Sequence, residues 1–118
     1  MPHPVTHFQI VSKDPGATAE FYGKAFGWTV SEPDQIGYRA IATGSAEGIQ
    51  GGIWPAPPQA ANFVQVFVSV KDVSEALARA QECGAKILVP ATPLPDGSEI
   101  AVLLDPQGMS FAVVRPAK

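Results

Sequence analysis

Charge, cysteine and long apolar runs are all scarce in this chain. Charged residues make up 16% of its 118 residues and the net charge is -3. No basic stripe stands out, which argues against nucleic acid as a partner. No apolar stretch approaches the length of a membrane span, and no charged-then-apolar leader opens the chain. Neither membrane insertion nor secretion is therefore expected, and a cytoplasmic location is. The single cysteine, Cys83, excludes an internal disulfide; near a helix end it reads as a small buried residue rather than a reactive thiol. No Ser-His-Asp or Cys-His arrangement is legible, and no glycine-rich phosphate loop follows a strand. What is plentiful is apolar: hydrophobic residues are 46% of the chain, which argues against disorder and suffices for a packed core at this length.

The chain reads as if written twice. HFQIVSKD (7–14) and QVFVSVKD (65–72) are strand-like runs closed by Lys-Asp, half a chain apart. Each is followed by a helical stretch that ends in glycine, at Gly27 and Gly84. Val5 to Ser12 reads as a strand. Asp14-Pro15 reads as a helix cap with proline in the first turn, where its missing N–H costs nothing. Thr18, Phe21, Tyr22, Ala25 and Phe26 recur at helical spacing and predict the buried stripe of a helix over about 14–26. Strands are expected at 28–32, 38–43 and 48–54. PAPPQAA (55–61) is a stiff linker. In the second half, Phe63 to Val70 is a strand and Asp72-Val-Ser-Glu75 starts a helix over about 73–83 with a stripe of Val73, Ala76, Leu77 and Ala80. Strands at 86–89, 99–104 and 109–115 follow, joined by connections at 90–97 and 105–108. The expected organisation is one domain over 1–118, with repeat 1 at about 5–54 and repeat 2 at about 62–115, each βαβββ.

Strand alternation nominates a site. Phe8 and Ile10 should pack under the first helix, leaving His7 and Gln9 on the opposite face. In the second copy Val64, Val66 and Val68 form the helix-facing row, so Phe63, Gln65 and Phe67 should line a cavity. His7 and Gln65 are equivalent in the repeat and are natural hydrogen-bond partners. For His7, two readings stand: a hydrogen-bonded polar group at a junction, or a ligand contact or acid/base group titrating near neutrality. Tyr38 and Trp54 are candidate walls, because aromatic faces hold planar or apolar ligands. Tyr22 and Trp28 read as core, and Asp14, Asp72 and Asp105 as capping and turn carboxylates.

The chain resembles the glyoxalase/bleomycin-resistance/extradiol-dioxygenase superfamily, the vicinal oxygen chelate proteins. The resemblance rests on THFQIVSKDPGATAEFYGKAFGW (6–28), GIQGGIWP (48–55), VSVKDVSEALARAQECGAKIL (68–88) and LLDPQGMSFAVV (103–114), which cover nearly the whole chain. It implies an α+β fold in which two tandem βαβββ units form an open, curved mixed sheet around a cavity, and it implies a homodimer. It also implies that metal-using members take ligands from the first and last strands of each unit. Carried over, these positions are His7, Gln65, Ala112 and a position near Gly51. Both carboxylates that would offset the charge of a dication are missing. The expectation is therefore a small-molecule binding protein with no resident metal, its ligand contacts being His7, Gln9, Tyr38, Trp54, Phe63, Gln65, Phe67 and Ala112. The alternative is a metal-dependent lyase, isomerase or dioxygenase, in which His7 and Gln65 would be the metal ligands.

Overall fold

The computed structural model describes residues 2–117. Among them are eight strands and two helices in the order β1 (Val5–Ser12), α1 (Pro15–Phe26), β2 (Thr29–Val30), β3 (Arg39–Ala42), β4 (Gln50–Pro55), β5 (Phe63–Ser69), α2 (Val73–Glu82), β6 (Lys86–Pro93), β7 (Glu99–Leu104) and β8 (Ser110–Arg115). This is βαβββ twice, an α+β fold. Within the described residues two compact units form, one of residues 7–65 and one of 66–117 together with 2–6. The unit boundaries therefore fall inside β1 and β5 rather than in the proline-rich linker.

In the unit of 7–65 the strand order is β2-β3-β4-β1. β4 runs parallel to β1, pairing His7 with Gln50, Gln9 with Gly52 and Val11 with Trp54, while β3 runs antiparallel to β4. α1 starts where the sequence says it should: the Asp14 carboxylate accepts from Ala17 N at 3.1 Å, Pro15 occupies the first turn, and Gly27 closes the helix at φ 74°. Beneath α1 lies a core of Ile10, Ile41 and Ile53, flanked by Phe8, Ala19, Tyr22, Trp28 and Val30. The expected stripe of α1 is displaced. Ala19 and Tyr22 face the sheet, while Phe21 and Phe26 are 58% and 64% exposed. Tyr22 stacks flat on Trp28, with centroids 5.0 Å apart, and fills the space that the two phenylalanines would need.

In the other unit the order is β5-β8-β7-β6, with β8 parallel to β5 and the remaining pairs antiparallel. Asp72 caps α2 by accepting from Glu75 N at 3.0 Å. Val73 and Leu77 are buried against Val70, Ala101, Leu103 and Val113, with Ala76 and Ala80 packed alongside, as the spacing predicts. The expected row on β5 is only partly right: Val68 packs on this core, but Val64 and Val66 are exposed. The reason is position, since α2 lies over β6, β7 and β8 rather than over β5. Cys83 is exposed at the C-cap, not buried. β6 runs on through Pro90 to Pro93, beyond its expected end, because an edge strand tolerates proline and its bulges absorb the lost ladder bonds.

In the turn between β6 and β7, Ser98 Oγ and Ser98 N both donate to Asp96 Oδ1, at 2.6 and 2.9 Å. The Ser98 hydroxyl, and then the Ser98 N–H, hold this carboxyl below its ordinary range. A lowered folded-state pKa gives stability that is full above the unfolded value and is lost as pH falls through the folded one. Ser98→Ala should let the carboxyl rise toward the ordinary carboxylate range in an NMR titration. For the cores, Ile53→Ala and Leu103→Ala, both fully buried, should each cost about 2–5 kcal/mol in urea unfolding. Phe21→Ala should cost about 1 kcal/mol or less. Equal losses at Phe21 and Ile53 would contradict the placement of α1.

Candidate functional site

The face of β1 and β4 opposite α1 carries the candidate site. Phe8, Ile10 and Ile53 point to the α1 side, so alternation turns Gln9, Gly52 and Trp54 to the other. Two adjacent glycines make both faces possible. A Cβ on Gly51 would lie 2.6 Å from Phe8 Cζ, inside the helix-side core. A Cβ on Gly52 would overlap the Tyr38 hydroxyl and ring on the opposite side. Tyr38 is delivered there by a tight turn: Asp34 Oδ1 accepts from Ile36 N at 2.9 Å and from Tyr38 N at 3.0 Å, and Gly37 takes a φ of 83°. The tyrosine ring then leans on Trp54 with centroids 4.9 Å apart and planes at 50°.

Two carboxamides complete this face. Gln65 Nε2 donates to Gln9 Oε1 at 2.7 Å, and both residues are buried. Gln9 lies two residues beyond His7 on the same face of β1. His7 itself is exposed, and its neighbour across the ladder is Gln50. Gln50 is committed elsewhere: its Oε1 accepts from Thr43 N at 2.5 Å and its Nε2 donates to Ser45 O at 3.5 Å. Gln9 Nε2 is buried with no acceptor. A buried donor of this kind carries a desolvation cost that only a partner removes.

Gln9, Tyr38, Trp54, Phe63 and Gln65, with His7, thus fall within the unit of 7–65. Phe67 and Ala112 fall in the other, where they are cross-strand neighbours and Ala112 is fully buried. The first-copy equivalent of Ala112, expected near Gly51, is its neighbour Gly52. Gln9 pairs with Gly52 as Phe67 pairs with Ala112, while Gly51 faces the helix. Single-residue parity in β4 was the missing signal, since a shift of one residue exchanges the faces. Arg39 pairs with Ile53 and lies on the helix side.

The residues do not fit a divalent metal. Two of the four ligand positions, Gly52 and Ala112, offer no donor atom, and at Gly52 the tyrosine leaves no room for one. Among the described residues no three His, Cys, Asp or Glu side chains gather as a metal would need.

The model of the glyoxalase-like domain matches residues 7–114. The chain belongs to this family, and with it to the vicinal oxygen chelate superfamily. It is 30% identical over 112 residues to "Putative glyoxylase CFP32" of Mycobacterium bovis and of Mycobacterium tuberculosis. That match takes in 92% of this chain but 42% of the relative, so the chain spans less than half the length of these proteins. Among solved structures it is similar to the methylmalonyl-CoA epimerase of M. tuberculosis, with a TM-score of 0.71 and 19% identity over 97% of this chain and 88% of that one. It is also similar to a hypothetical protein of Bacillus halodurans, with a TM-score of 0.72 and 13% identity over 100% and 97% of the two chains. At these identities the structures establish the fold. No helix among the described residues is long and apolar enough to cross a membrane.

Gln9→Met should cost about 1–3 kcal/mol, because it removes the acceptor of the buried Gln65 bond. Gln9→Met/Gln65→Met should recover much of that loss, since both polar partners are then gone. A double-mutant cycle by chemical denaturation measures the coupling; simple additivity would mean that the two amides do not act as a unit.

Proposed function

We propose that this chain binds a small organic molecule on the face formed by Gln9, Gln65, Tyr38 and Trp54, with no resident metal. The observation that carries this reading is Tyr38 lying over Gly52. The position from which a metal-using relative would extend a carboxylate is occupied by an aromatic ring. Lewis-acid chemistry needs an ion held by charged or imidazole donors, and these residues instead offer an aromatic surface and two carboxamides. Tyr38 and Trp54, both half-buried, suit a planar or apolar body, and the unpartnered Gln9 N–H suits an acceptor oxygen. His7, exposed on the same strand, stands beside this face as a polar contact. We further read the active form as a homodimer, because Val64 and Val66 remain exposed at 63% and 42%, and a second copy gives such apolar rows cover.

The named epimerase and glyoxylase relatives keep a metal-dependent enzyme as the competing reading, and metal content separates the two. Elemental analysis of the purified protein should find only substoichiometric Zn, Ni, Mn or Fe, and none of these ions should raise the melting temperature. A stoichiometric ion would replace the binding reading with the enzyme. A panel of planar aromatic acids and amides should contain a ligand that stabilises the protein by about 2.7 kcal/mol at a hundred times its Kd. Trp54→Ala should weaken that ligand about tenfold, in line with the loss of one aromatic contact. Light scattering at micromolar concentration should give the mass of two chains.

A further inference from the structure

The unit of 66–117 with residues 2–6 carries a groove of about 780 Å³, within the size range of small-molecule sites. One wall is the N-terminal segment, tied down by Ser69 N donating to Pro4 O at 2.8 Å. Val70, which is buried, and Ala76 give it an apolar floor at the start of α2. Three cations stand around that floor: Lys71, Arg79 and Arg115. Among the described residues Lys71 and Arg79 have no ion-pair partner, although Glu75 lies one helical turn before Arg79. Arg115 has one carboxylate, that of Glu99 at 3.7 Å, and two long bonds to carbonyls at 3.4 Å. Two carboxylates, Asp72 and Glu75, also line the groove, and Asp72 is turned to the cap of α2. The three lining cations thus exceed the two lining carboxylates by one, with Glu99 beside Arg115.

We propose that this groove is a second binding site, distinct from the aromatic and carboxamide face, for a small organic anion with an apolar tail. The tail would lie on Val70 and Ala76, and its carboxylate or phosphate head would be held by Lys71 and Arg79, with Arg115 at the rim. Uncommitted cations beside an apolar floor select both for charge sign and for a hydrophobic body. The two charge-bearing side chains that matter most are exposed, so their removal leaves the packed core intact.

The test is a titration of the full chain followed by amide NMR, with octanoate, octyl phosphate and octylammonium as probes. The two anions should give saturable shifts at residues 69–76, 79 and 115, and octylammonium should not. Octanoate binding tighter than octyl phosphate, or the reverse, assigns the head group. Lys71→Gln/Arg79→Gln should weaken the preferred anion about fivefold, the loss expected of two partly solvated charge contacts. Equal shifts with octylammonium, no saturable shift at these amides, or an unchanged Kd in the double variant would each overturn the site. Should the double variant fold poorly, the preference of the wild-type chain for anions over octylammonium decides by itself. Shifts at the side-chain amides of Gln9 and Gln65 report the other face separately, so either reading can fail alone.

Discussion

The parallel register of β1 against β4 is the constraint on which the first unit depends. It sets Phe8 beside Gly51 and Gln9 beside Gly52, and parity then decides what each face becomes. On one face the missing side chain at Gly51 admits the Phe8 ring, which extends the isoleucine core under α1. On the other, the missing side chain at Gly52 admits Tyr38, which in turn meets Trp54. Any side chain at either glycine would displace an aromatic ring. Two adjacent glycines inside a strand weaken it through backbone entropy. Their presence here follows from the close approach of a ring on each side.

The same register shapes the positions from which metal-using members of the superfamily would extend their carboxylates. A carboxylate at the Gly52 position would need the volume that Tyr38 fills. The equivalent position in the second unit, Ala112, is a methyl group buried without exposure, where an unpaired carboxylate would be strongly disfavoured. The two copies have diverged in opposite senses around one geometry. The first carries a polar and aromatic face, with Gln9 opposite glycine; the second carries Phe67 opposite alanine.

Much of this was legible in the sequence, because it depends on local rules. The caps at Asp14 and Asp72, the αL glycine after α1, the stripe of α2 and the inward placement of Phe8 and Ile10 each follow from a short window of residues. What escaped depends on where one element lies over another. Phe21 and Phe26 have helical spacing equal to that of Tyr22, and only the stacking of Tyr22 on Trp28 decides which side of α1 faces the sheet. Val64 and Val66 alternate like a buried row, but α2 covers other strands. Cys83 is apolar by type, yet it lies at a helix end that nothing covers. The donation of the Gln65 amide to Gln9 was not legible either, because repeat symmetry does not equate those two residues.

The Gln9–Gln65 bond joins two groups that do not titrate. A buried pair of carboxamides supplies direction without charge: each has a donor side and an acceptor side, and one hydrogen bond satisfies only part of the set. The remaining Gln9 N–H therefore asks for an oxygen at any pH the fold survives. An aromatic wall with a pH-independent donor beneath it is suited to holding a neutral or delocalised molecule in one orientation. It is poorly suited to moving a proton, which requires a group whose pKa lies near the working pH. Under the proposed binding function these groups would hold the molecule, with His7 at the edge of the face.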